Sequence, residues 1–299
     1  MESVLIVGCG HVGCRLARER VAEGVPVTGM VRSEAGAARV RATGAEALRA
    51  DLDRPETLTG LPSAGAELYH LAPPPAEGDT DPRTEALLAA LEGRLPRRIV
   101  YISTSGVYGD CEGRWIDESA PIRPGTPRGR RRAAAERSLR EWSARSGVPV
   151  VILRVPGIYG PDKLPLERLR KGLPLLDAAE SPFTNRIHVD DLVQALRAAM
   201  ARGEPGAAYN VSDGHPSNMT DYFNHIADAF GLPRPPTVSR TEAAEKLSAG
   251  MRAFMDESKR LDNRRLREEL GVVLRYPDLD AGLAQCRAER SRINPPACG

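Results

Sequence analysis

Short apolar runs alternate with longer helical patterns along the first two thirds of the chain. Several of the runs are continuously apolar, which is typical of parallel strands that are covered on both faces. The predicted strands are Val4–Val7, Val25–Val31, Ala45–Leu48, Glu67–Leu71, Arg98–Ser103 and Val150–Leu153. The predicted helices between them lie near 11–23, 34–42, 83–93 and 130–146.

This alternation predicts an α/β fold with a doubly wound parallel sheet, the Rossmann fold. We expect a dinucleotide-binding domain over residues 1–160, to which residues 185–212 return. A further strand is predicted at Ala208–Val211.

The pattern changes after Gly160, and helices near 217–230, 240–254 and 259–269 dominate the rest. We therefore expect residues 161–184 and 213–299 to form a smaller, mostly helical substrate lobe.

The bulk composition narrows the class of protein. The formal net charge is +2 over 299 residues, so no strong field favours nucleic acid or an anionic membrane. The five cysteines form no C-x-x-C or zinc-ligand pattern, which indicates free thiols and no metal site. No segment approaches the roughly 20 apolar residues of a membrane span. A cytoplasmic protein with a small-molecule substrate is the expectation.

The sequence VLIVGCGHVGCRLA contains the strongest motif. Gly8, Gly10 and Gly13 form G-x-G-x-x-G between a predicted strand and a predicted helix. This arrangement predicts a dinucleotide site, because the turn lets the diphosphate approach the backbone N–H groups at the helix N-terminus. His11 and Val12 lie inside the turn and are counted with the cofactor-contacting residues. His11 and Cys14 are expected to be turn and packing residues rather than nucleophiles.

The second strand ends at Arg32 and Ser33, where an NAD site normally carries a carboxylate for the ribose hydroxyls. An arginine and a hydroxyl instead suit the 2′-phosphate of NADP. We therefore expect NADP, with NAD as the alternative. Further contacts are expected at the ends of the third and fourth strands, from Asp51, Leu52, Leu71, Ala72 and Pro73.

Five motifs in order carry a family resemblance. They are the glycine turn, YISTSGVYG (101–109), LRVPGIYGP (153–161), NRIHVDDLV (185–193) and YNVSDG (209–214). Together they resemble the extended short-chain dehydrogenases/reductases, which include the NAD-dependent epimerase/dehydratase family. The fit is to an atypical branch, and a homodimer is common in this family. The resemblance adds cofactor contacts at Val155, Pro156, Gly157 and Ile158.

The resemblance implies a role for Thr104, which takes the place of the family's catalytic Ser/Thr. The family's Y-x-x-x-K pair falls on Arg128 and Arg132. Arginine stays protonated at working pH, so Arg128 cannot replace the tyrosine as a general acid or base. Arg132 is expected to orient the cofactor. As an alternative to the tyrosine mechanism, Arg128 with Arg130 or Arg131 would bind an anionic substrate or intermediate.

Three functions remain open at this point. The first is an oxidoreductase that exchanges hydride at nicotinamide C4 of NADP with a small polar metabolite. Thr104 would hold the substrate oxygen, and Tyr108, Tyr159 or water would handle the proton. The second is a non-catalytic NADP-binding sensor or scaffold, and the third an NAD-dependent epimerase/dehydratase. His188 is expected to shape the substrate cleft, and Asp190 to cap the following helix.

Overall fold

The computed structural model describes residues 2–248, 252 and 255–293. Its centre is a seven-stranded parallel sheet in the order β7-β6-β5-β4-β1-β2-β3. The strands are β1 (Val4–Val7), β2 (Val27–Val31), β3 (Glu46–Arg49), β4 (Glu67–His70), β5 (Arg98–Thr104), β6 (Val150–Val155) and β7 (Ala208–Asn210). The predicted doubly wound sheet is confirmed, with strand ends shifted by no more than two residues.

Ten described helices surround the sheet or form the second lobe. They are α1 (His11–Ala22), α2 (Glu34–Arg41), α3 (Pro82–Ala90), α4 (Pro127–Ser146), α5 (Leu166–Arg170), α6 (Val189–Arg202), α7 (Met219–Ala229), α8 (Ala243–Lys246), α9 (Arg264–Glu268) and α10 (Leu279–Ile293). Short 3-10 turns occur at Pro55–Leu58, Ser105–Tyr108 and Ala178–Glu180.

The two faces of the sheet bury different residues of the same strands. In β1, Val4 and Ile6 pack on the side of α1 and α6, whereas Leu5 and Val7 pack on the side of α3 and α4. This alternation follows from the two-residue period of a strand. Both faces are apolar, which explains why the strands are continuously hydrophobic in sequence.

The second lobe is held together by a smaller apolar core. Helices α5, α7 and α10 contribute Leu169, Phe223 and Leu283 to it. Four pairs of short strands lie outside the main sheet: Gly157–Tyr159 with Arg186–His188, Phe183–Thr184 with Ser217–Asn218, Leu175–Leu176 with Thr237–Val238, and Trp115–Ile116 with Arg260–Leu261.

Two sequence predictions in this lobe need correction. The helix predicted at 259–269 is shorter, because Arg260–Leu261 pairs as a strand with Trp115–Ile116 and buries Leu261. The helix predicted at 240–254 is helical at Ala243–Lys246, and part of its second half lies outside the described residues. None of the helices in the described ranges is both long and apolar enough to cross a bilayer.

A buried ion pair lies beneath the carboxyl ends of the central strands. Glu136 of α4 accepts from Arg154 of β6 at 3.0 Å and from Ser103 of β5 at 2.6 Å. The Glu136 and Arg154 side chains are 0% and 3% exposed. Arg154 also donates to the Tyr108 hydroxyl, which donates to Asn210 of β7. One polar network thus joins α4 to three strands.

Replacing Arg154 by Met should lower the free energy of unfolding by about 3–5 kcal/mol, because it leaves the Glu136 carboxylate buried and uncompensated. Arg140→Met is the matched control, since Arg140 contacts the same carboxylate with a side chain that is 37% exposed. We expect the control to cost less than about 1 kcal/mol. Urea unfolding monitored by tryptophan fluorescence measures both, and equal losses would contradict the assignment.

Candidate functional site

The glycine turn between β1 and α1 lies at the carboxyl edge of the sheet, where the strand order reverses between β1 and β4. Open parallel sheets bind ligands in the crevice at such a switch point. Gly8 has a φ of +83°, and a Cβ there would lie 2.6 Å from the Ala72 backbone. Only glycine fits this close approach of β1 to the end of β4.

The other two glycines of the turn have different surroundings. A Cβ on Gly13 would meet Ile6 at 3.1 Å, so this glycine permits close packing of α1 on β1. A Cβ on Gly10 would meet nothing nearer than the Gly8 carbonyl oxygen, 4.0 Å away. Gly10 therefore leaves open space in the cleft that it lines. These are the three roles that a diphosphate-binding turn requires.

The first turn of α1 offers its backbone N–H groups to the cleft. Gly10 is the N-cap and provides no side-chain hydrogen bond, and no acidic residue lies in the first turn. Helices α2, α3, α4, α6 and α7 instead begin with capping side chains, from Ser33, Asp81, Thr126, His188 and Asn218 respectively. An uncapped N-terminus carries unpaired donors and partial positive charge, which suits an anion.

Two adjoining clefts extend from this turn, and they share Gly8, Gly10 and Pro73. The β2-side cleft has a volume of about 270 Å³. Its other lining residues are Cys9, Met30, Val31, Arg32, Ser33, Gly36, Arg39, Ala50, Asp51, Leu52, Ala72 and Arg83. The predicted residues Arg32, Ser33, Asp51, Leu52 and Ala72 thus come together here.

The β5-side cleft has a volume of about 310 Å³. Its other lining residues are His11, Val12, Gly13, Leu71, Ile102, Ser103, Thr104, Arg128, Arg132, Val155, Pro156, Ile158 and Lys163. The structure thereby joins most of the residues predicted for the nicotinamide end of a cofactor. Gly157 is absent from this lining, and a Cβ on it would lie 2.4 Å from Arg186 Nη1.

Thr104 and Arg128 lie on two elements that contact each other tightly. A Cβ on Gly129, next to Arg128 in α4, would lie 2.7 Å from the Gly106 carbonyl oxygen. The Thr104 hydroxyl oxygen accepts from the Gly106 N–H at 3.2 Å. Its proton therefore stays available to a ligand.

Arg128 makes no hydrogen bond or ion pair with any residue that the structure describes. Burial, together with Arg132 and Arg131, lowers its pKa from the ordinary arginine value. An arginine remains protonated at neutral pH even so, and this one is a cation free to bind an anion.

Arg132 forms part of the cleft wall. Its Nη1 donates to the Ile102 carbonyl at 2.7 Å, to the Tyr101 hydroxyl at 2.9 Å and to the Ala72 carbonyl at 3.4 Å. These bonds tie α4 to β5 and to the residues that follow β4. A contact from Arg132 to the cofactor stays a prediction.

Tyr108 and Tyr159, predicted as proton donors, do not face the cleft. Tyr108 is 1% exposed with its hydroxyl bound to Asn210 and Arg154, and burial raises its pKa to about 12. The fully buried Tyr159 donates to the Asp278 carbonyl, and burial raises its pKa as well. Neither hydroxyl is placed to exchange a proton with a ligand.

His188 is likewise buried away from the clefts. Its Nε2 is 3.2 Å from Gln285 Oε1, and its ring packs against the Tyr276 ring at a tilt of 56°, with centroids 4.1 Å apart. Burial lowers its pKa to about 4. Its Nδ1 accepts from the Asp190 N–H, so His188 caps α6 in place of the predicted Asp190.

Sequence reasoning missed Ser103, Lys163, Arg39 and Arg83. Lys163 follows the motif LRVPGIYGP and is one of four lysines in an arginine-rich chain. That position and that rarity are the features of the sequence that could have identified it. Arg83 holds the β2-side wall by donating to Asp53 and to the Pro73 and Pro74 carbonyls. No local motif marks Arg39 or Arg83, because only the fold brings α2 and α3 to the cleft.

Comparison with known proteins places this chain among relatives of one family. Residues 4–212 match the model of the NAD dependent epimerase/dehydratase family. The chain is 29% identical to protein YeeZ of Escherichia coli K12, over 93% of this chain and 97% of that protein. It is also 29% identical to a 4-hydroxy-2-methyl-3-oxo-4-farnesyl-3,4-dihydroquinoline-1-oxide ketoreductase of Stigmatella aurantiaca, over 78% and 74% of the two chains.

Solved structures show the same fold. A conserved protein of unknown function from Silicibacter pomeroyi DSS superposes with a TM-score of 0.82 at 35% identity, covering 97% of this chain and 99% of that one. A Thermotoga maritima UDP-glucose 4-epimerase superposes with a TM-score of 0.81 at 19% identity, covering 98% and 100%. With a family match over more than half of its length, this chain belongs to the NAD-dependent epimerase/dehydratase family.

Proposed function

We propose that this protein is an NADP-dependent oxidoreductase that acts on a small, polar, anionic metabolite without the family's Tyr-Lys pair. The observation that carries the proposal is the uncapped N-terminus of α1, which faces a continuous cleft at the switch point of the sheet. Family membership and related structures solved with NAD bound support a nicotinamide dinucleotide at this site.

The residues present fit a dinucleotide. The N–H groups of His11, Val12 and Gly13 would bind the diphosphate, with Gly10 leaving room for it. The β2-side cleft would hold the adenosine, and the β5-side cleft would hold the nicotinamide. When bound, the cofactor supplies a hydride donor or acceptor; the protein supplies position and charge.

The preference for NADP rests on two arginines at the β2-side cleft, Arg32 and Arg39. Arg32 directly precedes Ser33, Arg39 lines the same cleft from α2, and Arg39 has no partner among the described residues. Arg32 has only a loose contact of 3.7 Å with Asp53, so it is free to turn toward a 2′-phosphate. Glu34, the nearest carboxylate in sequence, is engaged with Arg41 and Arg49.

Arg32→Ala should weaken NADP⁺ binding about 10-fold and leave NAD⁺ binding within about 2-fold. A charge-assisted hydrogen bond is worth about 1.5–3 kcal/mol, and solvent at this exposed site reduces that value. Arg54→Ala is the control, because Arg54 pairs with Glu56 outside the cleft. Calorimetry measures the four affinities. Tighter binding of NAD⁺ than of NADP⁺ by the wild type would contradict the preference.

The chemistry at the β5-side cleft follows from Thr104 and Arg128. The Thr104 hydroxyl, already accepting from Gly106, has its proton free to donate to a substrate oxygen and to position it. The free Arg128 cation would bind a substrate carboxylate or phosphate, or stabilise negative charge that develops on the substrate. With Tyr108 and Tyr159 buried, water or a substrate group would exchange the proton.

Arg128→Met should leave NADPH affinity within about 3-fold of the wild type. It should reduce kcat/KM for carboxylate-bearing carbonyl and imine substrates by about 10- to 100-fold, because a charge-assisted hydrogen bond to the substrate is lost. Arg128→Lys should restore part of the loss. Arg130→Met is the control, since Arg130 pairs with Asp79 instead. NADPH oxidation followed at 340 nm, with neutral analogues for comparison, gives the ratios.

The same measurements separate the alternatives. Nicotinamide that co-purifies with the protein and is recycled in place would support an epimerase or dehydratase. Tight NADPH binding without turnover on any substrate, unchanged by Thr104→Ala, would support a sensor or scaffold. A cytoplasmic location and a homodimer stay predictions.

A further inference from the structure

His11 is the first residue of α1, and it is one of the residues that line the β5-side cleft beside the diphosphate-binding turn. The Nε2 atom is buried and has no hydrogen-bond partner among the described residues. A buried polar atom without a partner costs about 1–3 kcal/mol. A diphosphate-binding turn uses the backbone N–H of His11, but it gives no partner to the His11 side chain. The unpaired Nε2 atom therefore points to a ligand.

The charges around His11 come from three elements. Arg15 lies one turn further along α1, Lys163 and Asp162 lie in the loop after Gly157–Tyr159, and Asp190 lies in the first turn of α6. Arg15 is bound by Asp190 at 3.0 Å, Glu289 at 3.2 Å and Asp162 at 3.8 Å. Lys163 has no side-chain partner in the described part of the chain.

The β5-side cleft therefore presents cations that its own walls do not neutralise. Lys163, Arg128 and Arg132 line it together with His11, and no Asp or Glu is among its described lining residues. An anion in this cleft would meet the free Lys163 ammonium and lie beside His11, whose buried Nε2 has no partner among the described residues. Of the groups in a dinucleotide, the diphosphate lies nearest to the first residue of the helix after the glycine turn.

We infer that His11 takes up a proton when the dinucleotide binds and, as an imidazolium beside Lys163, donates a charge-assisted hydrogen bond to the diphosphate. Cofactor affinity then rises as the pH falls. The inference rests on the proposed cofactor site and adds a pH-dependent contact to it.

The direction of the pH effect follows from linkage. Burial, then Arg15 and Lys163, lower the pKa of His11 below 6.5 in the free protein, against smaller opposing effects of Asp162 and Asp190. His11 is therefore neutral at pH 7 before binding. Two phosphate charges beside it would raise the pKa. Each pKa unit of that rise strengthens cofactor binding by up to about 10-fold. The full gain applies at a pH below the His11 pKa of the free protein, and there is no gain at a pH above the His11 pKa of the complex.

The test compares NADP⁺ affinity of the wild type and His11→Asn by calorimetry from pH 5.5 to 8.5. Asparagine keeps a polar side chain but cannot titrate. The 2′-phosphate of NADP⁺ also titrates in this range, and the ratio of the two proteins' affinities removes that contribution. We expect the ratio to grow about 3- to 10-fold between pH 8 and pH 6. His225→Asn is the control, since His225 is exposed and contacts Asp280 instead.

Proton uptake gives a second readout. Calorimetry at pH 7 in buffers of different ionisation enthalpy should show net uptake of a fraction of a proton per NADP⁺ by the wild type, and less by His11→Asn. ADP-ribose, which lacks the nicotinamide, should show the same difference. An effect confined to NADP⁺ would overturn the assignment to the diphosphate.

An affinity ratio that is independent of pH would overturn the inference while leaving the cofactor site intact. Absence of NADP⁺ and NAD⁺ binding at millimolar concentrations, in wild type and variant, would overturn the site and the inference together. Because a variant could misfold, the His11 imidazole is also titrated by NMR in the wild type, free and with NADP⁺. A pKa that does not rise on binding contradicts the inference.

Discussion

The close approach of β1 to the end of β4 determines the geometry of this protein's cleft. At Gly8 the chain lies so near the Ala72 backbone that a methyl group would be 2.6 Å from it, and the turn takes a positive φ. The chain then enters α1 with no capping side chain, so the first N–H groups face the crevice. Both clefts meet at this turn, and a ligand that spans them must pass the helix N-terminus.

The opposite wall is held by buried polar contacts rather than by the family's Tyr-Lys pair. Glu136, Arg154 and Ser103 join α4 to β5 and β6, and Gly129 lets α4 lie against the turn after Thr104. Arg132 spans three oxygen acceptors of the cleft wall with one nitrogen. The wall therefore keeps its shape where Arg128 takes the place of the family's usual proton donor. Under the proposed function, its chemistry shifts from proton exchange toward anion binding.

The lining of the β5-side cleft is consistent with that shift. Its charged residues are all basic in the described part of the chain, and two of them, Arg128 and Lys163, have no partner there. Unpaired cations around a cleft favour a ligand with several negative charges. A dinucleotide provides two at the diphosphate, and an anionic substrate would provide more.

The strand and helix pattern and the glycine turn were readable from sequence, because covered parallel strands must be apolar and a tight turn at a helix start needs glycine. Motif order also picked out Thr104, Arg128 and most of the residues that the structure brings together in the two clefts. The assignments of Tyr108, Tyr159 and His188 were not supported, since nearness to the site along the chain does not show where a side chain points. Each of them is buried with a partner from a distant segment, Asn210, Asp278 and Gln285 respectively.

By itself, then, the sequence determined the doubly wound fold, the position of the glycine turn and the loss of the tyrosine. Only the tertiary structure decided which charges face the cleft. Lys163 reaches the β5-side cleft, and Arg39 and Arg83 reach the β2-side cleft, from three separate elements. The Nε2 atom of His11 is unpaired because no described residue around it in the fold bonds to it. Local patterns follow from the periodicity of a single helix or strand, whereas the electrostatics of a site depend on contacts between residues that are far apart in the chain.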